Sequence, residues 1–148
     1  MKQKKNGLYV FEPNQYPLDN GIRLIEASAG TGKTFSLAHL VLRLITEKKY
    51  LINQILVVSF TEATSSEIKS KIIERLVLAL KIIESDYEEG IDDDIDDVLK
   101  EWIHHNLKTK DNRILIASLI LEALERIDTA DITTIHGFCS KTIRREAI

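Results

Sequence analysis

From position 27 the chain reads Ala27, Ser28, Ala29, Gly30, Thr31, Gly32, Lys33 and Thr34. Small residues ending in a lysine and a hydroxyl residue suit one kind of chemistry, the binding of nucleoside triphosphate phosphates. Without bulky side chains, successive backbone N–H groups can turn inward around an anion. Gly30 and Gly32 are the positions free to take the positive φ that such a turn needs. Lys33 and Thr34 are the candidate catalytic residues. Lys33 brings positive charge to the β- and γ-phosphates, and the Thr34 hydroxyl is the expected protein ligand of Mg²⁺, which neutralises charge on the same oxygens. Ala27 stands where such turns usually begin with glycine, and it keeps that position small. The alternative, a glycine-rich turn with no ligand, leaves Gly-Lys-Thr without a packing reason.

This chemistry works only between a strand and the start of a helix, and the flanking sequence supplies both. Residues 22–26 are short, partly β-branched and followed at once by small residues, the pattern of a buried first strand. From Lys33 to about Thr46, apolar residues including Phe35, Leu37, Leu40, Val41 and Ile45 cover most of a helix surface. Residues 55–60, Ile-Leu-Val-Val-Ser-Phe, form a continuous apolar run that predicts a second strand covered on both faces. Thr61 or Thr64 can cap a long amphipathic helix carrying Ile68, Ile72, Ile73, Leu76, Leu80 and Ile83. Two more helices follow, one from Val98 to about Leu107 around Trp102 and one over residues 113–127, apolar nearly all round and expected to be buried. Residues 132–135 predict a third strand, and Gly137 begins a further helix. Alternating strands and helices define an α/β fold with a narrow parallel sheet and flanking helices.

Two segments stand apart from this pattern. Residues 1–20 mix lysines, prolines and aromatics too irregularly for a long helix or central strand and read as an N-terminal arm. The acidic run near 86–97, including Glu88, Glu89, Asp92, Asp93, Asp94, Asp96 and Asp97, favours a solvated linker and lacks the ligand order of a calcium loop. The 148 residues fit one domain, and 44% hydrophobic content is enough for one core. Net charge is −3, so any nucleic-acid contact must be local rather than driven by a global basic field. Cys139, the single cysteine, is expected to be a small buried apolar residue, with no disulfide framework or zinc spacing around it. No window reaches the roughly 18 apolar residues of a membrane span, so a cytoplasmic location without membrane contact is expected.

Three blocks in series carry a family resemblance. Arg23-Leu-Ile-Glu-Ala-Ser-Ala-Gly-Thr-Gly-Lys-Thr34 resembles the first motif of the UvrD/Rep group of superfamily 1 helicases. Val57-Val-Ser-Phe-Thr-Glu-Ala-Thr64, with Glu67 and Ile68, resembles the motif after the second strand. Ile132-Thr-Thr-Ile-His-Gly-Phe-Cys139 resembles the next one. The Glu-Ala-Ser-Ala-Gly and Ile-His-Gly-Phe-Cys wording is most similar to the RecB branch. The resemblance implies a P-loop NTPase of RecA-like fold. Residues 21–148 would form the N-terminal portion of an ATP-binding motor domain that moves 3′ to 5′ on single-stranded DNA. It implies ATP and Mg²⁺ as cofactors, and RecC-like and RecD-like subunits as partners of the full-length protein in double-strand-end repair, recombination and exonuclease action. It also places Phe60, Thr61, Thr134 and His136, with Phe138, where these helicases contact single-stranded DNA.

Each of those contacts has a structural alternative. Phe60 ends an apolar strand and reads secondarily as core, His136 secondarily as a turn residue or helix cap, Phe138 first as packing, and Lys141, Arg144 and Arg145 equally as a solvated helix face. The sequence also departs from the family. No Asp-Glu pair follows a fourth apolar strand, so the chain is expected to end before the Walker B strand, leaving the sheet incomplete and turnover absent. The adenine-reading glutamine has no clear counterpart, although Gln15 lies in its neighbourhood. A nucleotide-binding or interaction module without motor activity is the second reading.

Overall fold

The structure, a computed structural model, describes residues 4–5, 8–27, 32–85 and 95–147. Its core is built by four helices rather than by the sheet. The first, α1 (Lys33–Thr46), and the second, α2 (Glu62–Glu84), follow the predicted spans closely. Ala38, Val41, Leu42 and Ile45 of α1 meet Ile68, Ile72, Leu76, Ala79 and Ile82 of α2, all buried in one cluster. Next come α3 (Asp97–Asn106), which buries Leu99, Trp102 and Ile103, and α4 (Lys110–Glu125), which buries Ile116, Ile120 and Ala123. A last helix, α5 (Ile135–Glu146), contributes no buried residue.

Four short strands are present among the described residues. The strands β1 (Lys4–Lys5) and β2 (Leu8–Tyr9) pair antiparallel. The second pair is parallel, β3 (Leu56–Ser59) beside β4 (Asp131–Thr134), in the register Leu56↔Asp131 to Ser59↔Thr134. A parallel pair needs a crossover long enough to hold a helix, and α2, α3 and α4 fill this one. The α/β class with a parallel sheet and flanking helices is therefore observed, with two strands in that sheet rather than three.

The missing strand is the predicted one at residues 22–26. These residues form no ladder, and Ile22 and Leu24 are 104% and 81% exposed. A strand needs a partner for its N–H and C=O groups. Gly21 takes φ 143°, and Arg23–Glu26 after it line a cavity together with Tyr9–Glu12 and Gln15–Pro17 instead. Two further expectations are corrected. Val57 alone of the β3 apolar run is buried, while Leu56 and Val58, which alternate to the other face, are exposed. Likewise α4 is not buried all round. Ile114, Leu115 and Leu121 are exposed, because α1 and α2 cover only one side of it.

The acidic run divides. Its central part, residues 86–94, lies outside the described residues. Its end is structural rather than a solvated linker. Ile95 is buried, and the Asp96 carboxylate caps α3 by accepting the Leu99 N–H at 2.9 Å.

Candidate functional site

Of the phosphate-turn residues, Ser28, Ala29, Gly30 and Thr31 lie outside the described residues, and Ala27, Gly32, Lys33 and Thr34 within them. Gly32 takes φ 82° and ψ 27°, the left-handed conformation that the sequence assigns to a glycine there. It is also the N-cap of α1, and it brings no side chain to the N–H groups of the first turn. By contrast, Thr61, Asp96, Thr109 and Thr134 each cap their own helix through a side-chain oxygen. The first turn of α1 holds no acidic residue to offset the partial positive charge at this helix end. Lys33 is exposed there and Thr34 half-buried.

A different set of groups holds α1 in place. His39 and Arg43, two of its core-side residues, are buried. Arg43 forms a two-point ion pair with Glu47 at 2.8 and 2.9 Å, and its remaining terminal nitrogen donates to the carbonyls of Pro13 and Tyr16, both at 2.7 Å. Arg75 of α2 donates from Nε and Nη2 to His39 Nδ1 at 3.1 and 2.8 Å. Arginine carries donors only, so Nδ1 is the acceptor, and Nε2 bears the proton it gives to Asn14 Oδ1 at 2.7 Å. Asn14 in turn donates to the Val98 carbonyl and to Glu101. Burial, then the charges of Arg75 and Arg43, lower the His39 pKa to about 3, against a smaller opposing pull from Asp96. Arg75 also forms a two-point pair with Asp96. Burial opposes ionisation of this carboxylate. The hydrogen bonds from Arg75 and the Leu99 N–H, with the nearby positive charge, prevail and hold its pKa below the ordinary value.

None of these polar anchors was evident as a site in the sequence. His39 and Arg75 sit 36 residues apart on helices whose apolar periodicity dominates the pattern. The one available signal was a charged or imidazole residue on an otherwise apolar helical face.

The second candidate region forms at the carboxyl ends of β3 and β4, the edge where open parallel sheets present their loops. Register pairs Ser59 with Thr134, so Phe60–Thr61 and Ile135–His136 leave the sheet side by side. The Ser59 hydroxyl donates to the Thr61 carbonyl at 3.0 Å and so accepts from Ser65 at 2.6 Å, fixing the turn into α2. That turn leaves Phe60 91% exposed, which removes its reading as core. Thr61 is the N-cap of α2, its hydroxyl accepting the Thr64 N–H at 3.1 Å. His136 is exposed and Phe138 half-buried. Thr134 is placed differently from a contact residue: it is buried, and its hydroxyl accepts the Gly137 N–H at 3.0 Å as the cap of α5. A Cβ on Gly137 would lie 2.5 Å from the Thr133 hydroxyl, so the turn is tight where glycine stands.

The Thr134 cap leads to an expected result. Thr134→Ala removes the side-chain acceptor of Gly137 and should cost about 1–2 kcal/mol of folding stability, read from the midpoint of chemical denaturation. An unchanged midpoint would mean that the hydroxyl is free for another partner.

Cys139 is exposed rather than buried, because α5 lies outside the core. Lys141 pairs with Asp131, while Arg144 and Arg145 are solvated on the same helix. Gln15 lines a cavity of about 460 Å³ together with Phe11, Tyr16, Arg23 and Leu24, between the arm and the segment leading into the phosphate turn. No described helix is long and apolar enough to cross a membrane.

Residues 12–148 match the family described as UvrD/REP helicase N-terminal domain. Among curated proteins, the chain is 35% identical over 149 residues to "RecBCD enzyme subunit RecB" of Escherichia coli (strain K12), covering 93% of this chain and 11% of that protein. The protein of the same name in Mycobacterium tuberculosis (strain CDC 1551 / Oshkosh) is 31% identical over 129 residues, covering 86% and 11%. That of Buchnera aphidicola subsp. Schizaphis graminum is 36% identical over 158 residues, covering 100% and 12%. The chain thus spans about a tenth of the length of these relatives.

Proposed function

Since the chain belongs to the UvrD/REP helicase N-terminal domain family, we propose that it is the ATP-binding and DNA-contacting portion of a RecB-like helicase subunit, with residues 1–20 as an arm and 21–148 as part of a RecA-like domain. The observation that carries this reading is the left-handed, uncapped Gly32 immediately before Lys33 and Thr34. Residues 27–34 are the proposed nucleotide site. In it Lys33 holds the β- and γ-phosphates, and Thr34 holds the Mg²⁺. The open first turn of α1 fits an anion, and a lysine and a hydroxyl beside it fit a triphosphate carrying a hard cation. When bound, Mg²⁺ would neutralise charge on the β- and γ-phosphates.

Phe60, Thr61 and His136 form the proposed single-strand contact, with Thr134 acting as the cap that sets the His136 turn. An aromatic ring exposed at the sheet's carboxyl edge can stack on any base, and hydroxyl, imidazole and backbone groups can hold phosphates without a basic field. This suits a chain of net charge −3. ATP binding and single-strand contact are the activities proposed for this chain. The relatives bear the name of a RecBCD enzyme subunit. Work beside RecC-like and RecD-like subunits, in recombination repair with exonuclease action, is the corresponding proposal for the parent protein.

Titration of a fluorescent ATP analogue, with Mg²⁺ or with EDTA, and of a labelled oligothymidylate tests both halves. Saturable nucleotide binding that needs Mg²⁺ is expected. Phe60→Ala is expected to weaken oligonucleotide binding about fivefold to a hundredfold, the range of one base–aromatic stack, and to leave stability unchanged because the ring is exposed. Oligonucleotide binding indifferent to Phe60 would favour the module without motor activity.

A further inference from the structure

The first turn of α1 has no apolar anchor of its own. Among residues 33–36 no apolar side chain is buried: half-buried Leu37 is the first to pack against the core and Ala38 the first fully buried, Gly32 supplies no cap, and Phe35 is 36% exposed. Its attitude must be set by something else. The Phe35 ring lies beneath the Arg75 guanidinium, with Cζ 4.6 Å from the ring centroid, and the same guanidinium binds His39 one turn further on. Arg75 is itself held by Asp96 at the start of α3, and His39 by Asn14 of the arm. Phe35 is the residue next to Thr34, so these contacts end one position from the proposed phosphate ligands.

We propose that Arg75 is a positioning residue for the phosphate turn. Stacked on Phe35 and hydrogen-bonded to His39, it fixes the first two turns of α1 in the attitude from which Lys33 and Thr34 act. The proposal rests on the nucleotide-site reading above. Burying an arginine against an imidazole costs desolvation that an apolar residue at position 75 would avoid, so packing alone is a poor reason for it. A guanidinium offers what an apolar side chain does not: a flat face for the ring and directed donors for Nδ1 and the carboxylate.

The test uses the full chain and the variants Phe35→Leu, Arg75→Met, Arg75→Lys and Lys33→Ala, with two readouts. The first is amide hydrogen exchange without nucleotide, comparing Ser36 and Leu37 in the first turn with amides of α4. The second is affinity for a fluorescent ATP analogue with Mg²⁺. Phe35→Leu and Arg75→Met are each expected to speed first-turn exchange selectively and to weaken the nucleotide about threefold to thirtyfold, the range of one cation–π contact. Arg75→Lys, which keeps the cation over the ring, should recover part of the loss. A purely structural role would instead speed exchange in α4 as much as in α1. If Arg75→Met does not fold, Phe35→Leu decides, since it leaves the buried polar groups paired. Unchanged first-turn exchange and affinity in Phe35→Leu overturns the proposal, even where Lys33→Ala loses nucleotide. If Lys33→Ala binds as well as the unaltered chain, the nucleotide-site reading fails instead, and the exchange data still decide whether Arg75 positions the turn.

Discussion

Lys33→Ala is expected to weaken Mg²⁺-dependent ATP binding about tenfold to a hundredfold while leaving the melting temperature within a degree or two. The lysine is exposed and heads a helix whose first turn has no acidic residue, so no partner among the described residues is lost with it. A charge-assisted hydrogen bond to phosphate contributes about 1.5–3 kcal/mol, which sets the range. The helix end and glycine turn still attract an anion, so residual binding should persist and weaken further in high salt. Equal affinity in the variant would place the nucleotide elsewhere on the molecule.

Acid should destabilise the chain well before most carboxylates titrate. His39 has a folded pKa of about 3 against an ordinary 6.5, so between those values the unfolded chain binds a proton that the folded chain refuses. Stability then rises with pH through this window. The contribution is complete above about pH 6.5 and is lost progressively as pH falls toward 3, with a slope approaching 1.4 kcal/mol per pH unit and a total of order 4 kcal/mol. Asp96 acts in the same direction but lower, because its depressed pKa keeps its contribution until pH falls below the ordinary carboxylate range. Denaturant unfolding at intervals from pH 7 to 4 reads the slope. In His39→Gln the amide oxygen can still accept from Arg75 and the amide nitrogen still donate to Asn14, and the slope over pH 6.5 to 4 should flatten. A slope that survives the substitution would assign acid sensitivity to other groups.

The helices were legible because apolar spacing and a capping side chain are local signals. Periodicity marked α1 and α2, and of the two cap candidates for α2, Thr61 and Thr64, it is Thr61 that caps, accepting the Thr64 N–H. The strands β3 and β4 were legible from β-branched runs ending in turn residues. Residues 22–26 carry a similar run and form no ladder, because a strand depends on a distant partner that composition does not encode. The same limit explains α4. An all-round apolar helix implies burial, yet how much of its surface is covered depends on its neighbours, and Leu115 and Leu121 face away from α1 and α2. At the proposed site, motif wording singled out Lys33, Thr34, Phe60 and His136. The groups proposed to steady it, Asn14, His39, Arg75 and Asp96, meet only in three dimensions. Asp96 also sat at the end of an acidic run whose charge suggested solvent rather than a buried arginine.

Residues 27–34 are proposed to hold Mg²⁺ and ATP, and the other proposed roles depend on that site. Amide hydrogen exchange of the full chain with and without saturating Mg²⁺ and ATP tests it most directly, since the proposed ligands include backbone N–H groups. Slowed exchange concentrated at residues 28–36, absent when EDTA is present, is the expected result. Protection spread elsewhere, or none at those residues, would contradict the assignment.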